Sequence, residues 1–214
     1  MNQYDLIPRK ILDTVKKYIS TSDVIVLHGA RQVGKTSILR IIERGAQEQG
    51  SPTLYLDLED SRFVSLLNQG VEAFLSFLAE QGMSDKKKKT FVFIDEIQYL
   101  ENPSSFLKRI ADHHGHIKLI VSGSSSFNIK KKFKNSLVGR TVSFEVWPLS
   151  FQEFLLFTKT PVVAPHVKNV TEPTRHMLIE KYREYCLYGG YPKIALTKDV
   201  GMKEKYLQQI IDTY

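Results

Sequence analysis

Residues Val24–Ser37 read "VIVLHGARQVGKTS". The first four are a wholly apolar, largely β-branched run, the signature of a strand buried on both faces. From Ser37 onward, "SILRIIERGAQEQG" spaces its apolar residues at helical intervals, so the segment reads strand, loop, helix. Within it Gly29, Gly34, Lys35 and Thr36 fit G-x-x-x-x-G-K-[ST], a phosphate-binding loop, in the context that the pattern requires. The glycines let the backbone N–H groups of Ala30, Arg31, Gln32, Val33 and Ser37 turn inward around a phosphate, and the helix N-terminus near Lys35 adds partial positive charge. Lys35 then reaches the β- and γ-phosphates, and Thr36 offers a hydroxyl to Mg²⁺, which needs a carboxylate from elsewhere. A Gly-rich turn that binds nothing is the competing reading, and the flanking strand and helix weigh against it.

The chain of 214 residues has room for one α/β domain and a small appendage, and 42% hydrophobic residues supply a core. Cys186 is the single cysteine, which excludes an internal disulfide and a two-cysteine zinc site and fits a reducing, cytoplasmic setting. The first residues, "MNQYDLIPRKILDTVKKYI", carry charge throughout and lack a signal peptide's apolar centre. No apolar stretch approaches the roughly 18 residues of a membrane span. A net charge of +7 is concentrated partly in "KKKK" at Lys86–Lys89 and "KKKFK" at Lys130–Lys134. Such runs are usually solvated loops, with a nucleic-acid or acidic-partner surface as the alternative.

Four further strands follow the first: "TLYLDL" from Thr53, "FVFIDE" from Phe91, "IKLIVSGSSS" from Ile117 and "TVSFEV" from Thr141. "VEAFLSFLAE" at Val71–Glu80 has helical spacing, and alternation of strands and helices calls for a parallel sheet with helices on both faces. Ligands of such sheets bind at the carboxyl ends of the strands. Beyond "WPLS" at Trp147–Ser150 the character changes to an amphipathic helix, "FQEFLLF", a connector at Lys159–Pro173, and a helical unit from Thr174.

Asp95 and Glu96 close the third strand, beside the phosphate loop if that strand neighbours the first. An aspartate there completes a Mg²⁺ shell, and an adjacent glutamate can orient and deprotonate the water that attacks a γ-phosphate. The bland alternative is a chain surfacing at a strand end. Small-molecule kinases need no such glutamate, and the N-K-x-D guanine reader of GTPases is absent from the sequence. Ser122 and Ser124 end the fourth strand, where a hydroxyl can meet the γ-phosphate or the water, or simply make a turn. Arg140 in "LVGR" can neutralise charge on a transferring phosphoryl group, or be a surface arginine. The cluster "HHGH" at His113–His116 reads as a polar turn rather than a metal site.

In this order, "GARQVGKTS", "FVFIDEIQYL", "VSGSSS", "LVGR", "WPLSFQEF" and "YGGYPKIAL" resemble the prokaryotic AAA-family ATPases that commonly carry a DUF4143 region after the ATPase core, relatives of the STAND and archaeal ATPases. The resemblance implies a three-layer α/β/α P-loop NTPase core of AAA-like, ASCE type over residues 1–157. A helical lid, or the start of a winged-helix-like unit, would follow over 158–214. It implies ATP or ADP and Mg²⁺ as ligands, Lys35 and Thr36 on phosphate and metal, Asp95 and Glu96 as the second motif, Ser124 as polar sensor and Arg140 at the family's G-R position, in its own chain or a neighbour. It also implies that Pro192 lies over the adenine, with Ile7 and Pro8 as the opposite wall, where otherwise "YGGYP" is a helix-breaking turn. Members usually continue well past "GGYP", whereas this chain stops at "LQQIIDTY", so a fragment or a missing effector part is expected.

Three functions follow: an ATP-driven switch or remodelling ATPase, which leads, a nucleic-acid-associated module using the lysine runs, and a nucleotide-bound scaffold without turnover. DNA, an acidic protein and a second copy of the chain stay open as partners.

Overall fold

The computed structural model describes residues 6–124, 137–161 and 170–212. Strands β1 (Val24–Gly29), β2 (Thr53–Asp57), β3 (Thr90–Asp95), β4 (Ile117–Ser124) and β5 (Thr141–Glu145) form one five-stranded sheet in the order β2-β3-β4-β1-β5. Every pairing is parallel. The inner strands β1, β3 and β4 are buried almost throughout, which is why they read as unbroken apolar runs. The edge strands β2 and β5 are partly exposed along most of their length.

Flanking the sheet are α1 (Ile11–Val15), α2 (Lys35–Glu48), α3 (Ser61–Asn68), α4 (Val71–Glu80) and α5 (Pro103–His113). One face of the sheet carries Val24, Val26, Leu56, Val92, Ile94, Leu119 and Val121, packed with Phe74 of α4 and Leu107 and Ile110 of α5. Full burial of a side chain such as Phe74 contributes about 2–3 kcal/mol. Ile38, Leu39 and Ile42 of α2 are buried, and α2 packs against β1, β2, β3 and β4. Side chains alternate along a strand and laterally paired residues share a face, so Tyr55, Asp95 and Ser122 share the face opposite Val92 and Val121.

Two details differ from the sequence reading. The third strand does not neighbour the first, because β4 lies between them. The third strand also ends at Asp95, and Glu96 turns away with φ 56° and ψ 50°. Ser125, Ser126 and the run Lys130–Lys134 with Phe133 lie outside the described residues.

Contacts divide the chain into two units, one of residues 1–30 and 35–146, the other of residues 31–34 and 147–214. The boundary expected from the sequence falls after Phe157 instead. The second unit holds α6 (Phe151–Phe157), α7 (Glu172–Tyr188), α8 (Pro192–Leu196) and α9 (Val200–Ile211). Ser150 and Glu153 form a capping box that starts α6. Phe151 meets Tyr182 and Tyr185 of α7 with ring centroids 5.2 and 5.6 Å apart, and the Tyr185 hydroxyl donates to Leu149 O at 2.8 Å. This aromatic contact ties α6 to α7. Among the described residues no helix is long and apolar enough to cross a membrane.

Candidate functional site

The loop between β1 and α2 is built as its sequence requires. A Cβ on Gly29 would stand 2.3 Å from the carbonyl oxygen of Val146, and Gly34 has φ 97°, a region that side chains rarely enter. Gln32 is also left-handed, with φ 61°. Lys35, 5% exposed, opens α2 and folds over its own loop, its Nζ donating to Gly29 O at 3.2 Å and Ala30 O at 2.9 Å. The ammonium is thereby held at the carboxyl end of the sheet.

Asp95, 3% exposed, is the hub of that end. Thr36 Oγ1 donates to Asp95 Oδ2 at 2.7 Å, and the Tyr55 hydroxyl donates to the same oxygen at 2.7 Å. Ser122 Oγ donates to Asp95 Oδ1, and Glu96 N donates to that oxygen at 3.2 Å and to Ser122 Oγ at 3.3 Å. Burial, with the neighbouring Asp95 carboxylate, pushes the Tyr55 phenol well above its usual range, which keeps it a donor. Arg40 of α2 lies over the Tyr55 ring, 3.2 Å from its centroid. Thus α2, β2 and β4 all fix one carboxylate.

Glu96 occupies the left-handed region, which costs a non-glycine residue about 1–2 kcal/mol. Its carboxylate accepts from Gln98 Nε2, while Gln98 Oε1 accepts from Ser124 N at 3.2 Å. Tyr55 and Gln98 are participants that the sequence reading does not single out. A lone tyrosine in a strand or glutamine after an acidic pair carries no motif.

A Mg²⁺ ion is implied by such a loop, and the residues present fit it. The Thr36 hydroxyl and the Asp95 carboxylate are hard oxygen donors in direct contact at 2.7 Å. Among the described residues no group of three or more His, Cys, Asp or Glu could hold a metal. An ion at Thr36 and Asp95 would therefore complete its shell with phosphate oxygens and water.

The structure does not bring every expected residue here. Arg140 stands at the start of β5, its carbonyl accepting from Val24 N at 2.8 Å, at the amino end of the sheet. The length of β1 separates it from Gly29, roughly 17 Å at about 3.3 Å per residue. Its guanidinium pairs with Asp112, which holds the carboxyl below its ordinary range. A role for Arg140 on phosphate in its own loop is therefore corrected. Pro8 is exposed before α1. Pro192 occupies the first turn of α8, where a missing N–H costs nothing. Gly190 just before it would, with a Cβ, stand 2.3 Å from Leu149 O, so the "GGYP" turn has a packing reason within the second unit.

The lysine run also divides. Lys86, Lys87 and Lys88 are exposed, but Lys89 Nζ donates to Ser20 O at 2.9 Å. His114 and His116 are held below the usual imidazole range by burial first and neighbouring positive charge second.

A five-stranded parallel sheet with this strand order, a phosphate loop at its carboxyl end and a facing Asp-Glu pair define a P-loop ATPase fold of the AAA class. Residues 21–155 match the AAA_14 family, described as "AAA domain", and the chain belongs to it. It is similar to an uncharacterised protein of Methanocaldococcus jannaschii, 30% identical over 87% of this chain and 40% of that protein. It is also similar to an uncharacterised protein of Haemophilus influenzae, 29% identical over 94% of this chain and 47% of that one. The chain thus spans less than half the length of these curated relatives. The structure of PCH-2 from C. elegans is alike in fold, with a TM-score of 0.50 at 15% identity, covering 92% of this chain and 63% of that one.

Proposed function

We propose that the chain is an ATPase that binds MgATP and hydrolyses it slowly, using the nucleotide state as a switch or to drive remodelling. The observation that carries this reading is the contact of Thr36 in the loop helix with Asp95 at the end of β3. It joins the two halves of a phosphate-and-metal site from residues far apart in sequence. Lys35 and the loop N–H groups bind the β- and γ-phosphates, and Thr36 and Asp95 hold Mg²⁺, which supplies charge neutralisation on the phosphates. Glu96 takes a proton from water as its oxygen attacks the γ-phosphorus and the bond to the ADP oxygen breaks. Ser124 is the polar sensor at the end of β4. Pro192 and Pro8 contribute to the adenine site.

The relation to ATPases followed by a DUF4143 region, and to the STAND class, belongs to the same reading, as does a cytoplasmic setting. A second reading, a nucleic-acid-associated ATPase module that binds DNA through its lysine runs, is favoured by the exposure of Lys86–Lys88.

The test is Glu96→Gln. ATP affinity should stay within about twofold while turnover falls about 10²-fold or more, the loss expected for a general base. Equal turnover in variant and parent would remove the hydrolytic role and favour a scaffold.

A further inference from the structure

We infer that Gln98 is a positioning residue for Glu96, a clamp that fixes the candidate base against the end of β4; this rests on the ATPase reading above. The side-chain amide is used at both ends. Its Nε2 donates to Glu96 Oε2, and its Oε1 accepts from Ser124 N at 3.2 Å. A backbone N–H only donates and a carboxylate only accepts, so the amide has one orientation that satisfies both.

The clamp follows from the local chain path. Glu96 leaves β3 in a left-handed conformation, and the 3₁₀ turn Ile97–Tyr99 carries Gln98 back toward the strand ends. The register Ile94↔Val121 sets the ends of β3 and β4 side by side, so one glutamine side chain spans them. The Glu96 backbone is already pinned through its N–H to Asp95 and Ser122. Its side chain, which would have to meet the attacking water, is held by Gln98. General-base catalysis depends on such placement, since a misplacement of about 1 Å can cost on the order of 10²-fold.

The experiment is steady-state ATP turnover and ADP affinity on the whole chain, for the parent, Gln98→Ala, Gln98→Glu, Glu96→Gln and the Glu96→Gln/Gln98→Ala double variant. Both single Gln98 variants should lose about 10- to 100-fold in kcat, with KM and ADP affinity within about twofold of the parent. Gln98→Glu keeps an acceptor for Ser124 N–H but sets a second carboxylate against Glu96, so it should not rescue. In the Glu96→Gln background, Gln98→Ala should add less than about twofold, because its target is gone. A merely structural tie would instead lower affinity along with kcat, or give the same factor in both backgrounds, and either result overturns the clamp. So does an unchanged kcat in Gln98→Ala. A parent chain without turnover would remove the ATPase reading itself, and the clamp with it.

Discussion

At the carboxyl end of the sheet Asp95 accepts hydrogen bonds from Thr36, Tyr55 and Ser122, side chain to side chain. At the amino end, Lys118 gives its ammonium to three backbone carbonyls, Tyr18 O and Asp23 O at 2.6 Å and Thr21 O at 3.0 Å. Both groups are buried, Asp95 at 3% and Lys118 at 1% exposure, and both sit on the same face of the sheet. Their partners differ in kind. The carbonyls of Tyr18, Ser20, Thr21 and Asp23 belong to the stretch that leads into β1 and need donors wherever they are buried, so Lys118 and Lys89 serve the fold. Hydroxyls around a carboxylate can be exchanged for a cation and water, so Asp95 is suited to a ligand. Charge and burial alone do not separate a site from a staple; for Asp95 and Lys118 the nature of the partner does, and Lys35, whose ammonium rests on the carbonyls of Gly29 and Ala30, differs from Lys118 by lying at the carboxyl end of the sheet.

The largest effect expected from breaking this contrast is on stability. Lys118→Met keeps most of the apolar stem but leaves the carbonyls of Tyr18 and Asp23 without this donor, costing about 2 kcal/mol or more. ATP affinity of the folded variant should stay within about twofold. Urea unfolding and titration calorimetry together check it, and a variant as stable as the parent would show that the ammonium is no staple.

pH sharpens the same comparison. Burial, reinforced by Lys89, pushes the Lys118 ammonium down to about 8. An unfolded lysine titrates near about 10.4, so between those values the unfolded chain binds more protons than the folded one, and stability rises with pH. The penalty for burying the charge is fully present below about pH 8 and is relieved through that window. Parent urea midpoints should therefore gain on those of Lys118→Met from pH 7.5 to about 10. A difference constant over that range would contradict the assignment.

The inner strands are legible in the sequence because burial on both faces demands apolar runs, and "VIVL" and "FVFI" are such runs. The phosphate loop is legible because its glycines have steric reasons, the Val146 carbonyl beside Gly29 and the positive φ of Gly34. Strand order is not legible, since hydropathy records burial and not neighbours. β4 lies between β1 and β3, yet Asp95 still reaches Thr36 because α2 packs against β3 and β4 as well as β1. The distance of Arg140 from its own loop is illegible for a related reason: a residue before a strand and a residue after one lie at opposite ends of a parallel sheet. Gln98 escapes notice because its partner, Ser124 N, is set by a tertiary register.

The smallest expected effect concerns the helical unit. Pro192→Ala should weaken ADP several-fold if the ring faces the base, since apolar contact of this size is worth on the order of 1 kcal/mol. Its melting should be unchanged within a few degrees, because alanine also suits a first helical turn. Unchanged ADP affinity would leave "GGYP" with only its packing role against Leu149.

The central claim is that the carboxyl end of this sheet is a nucleotide site, and calorimetric titration of ATP with Mg²⁺ into the parent and into Lys35→Ala tests it most directly. The parent should show a saturable single-site heat. The variant should lose about 100-fold in affinity or show no heat, as for loss of a charged hydrogen-bond partner worth about 2–3 kcal/mol, while staying folded with a lower melting point, because Gly29 O and Ala30 O lose the same donor. A folded Lys35→Ala chain that binds MgATP as tightly as the parent would contradict the account.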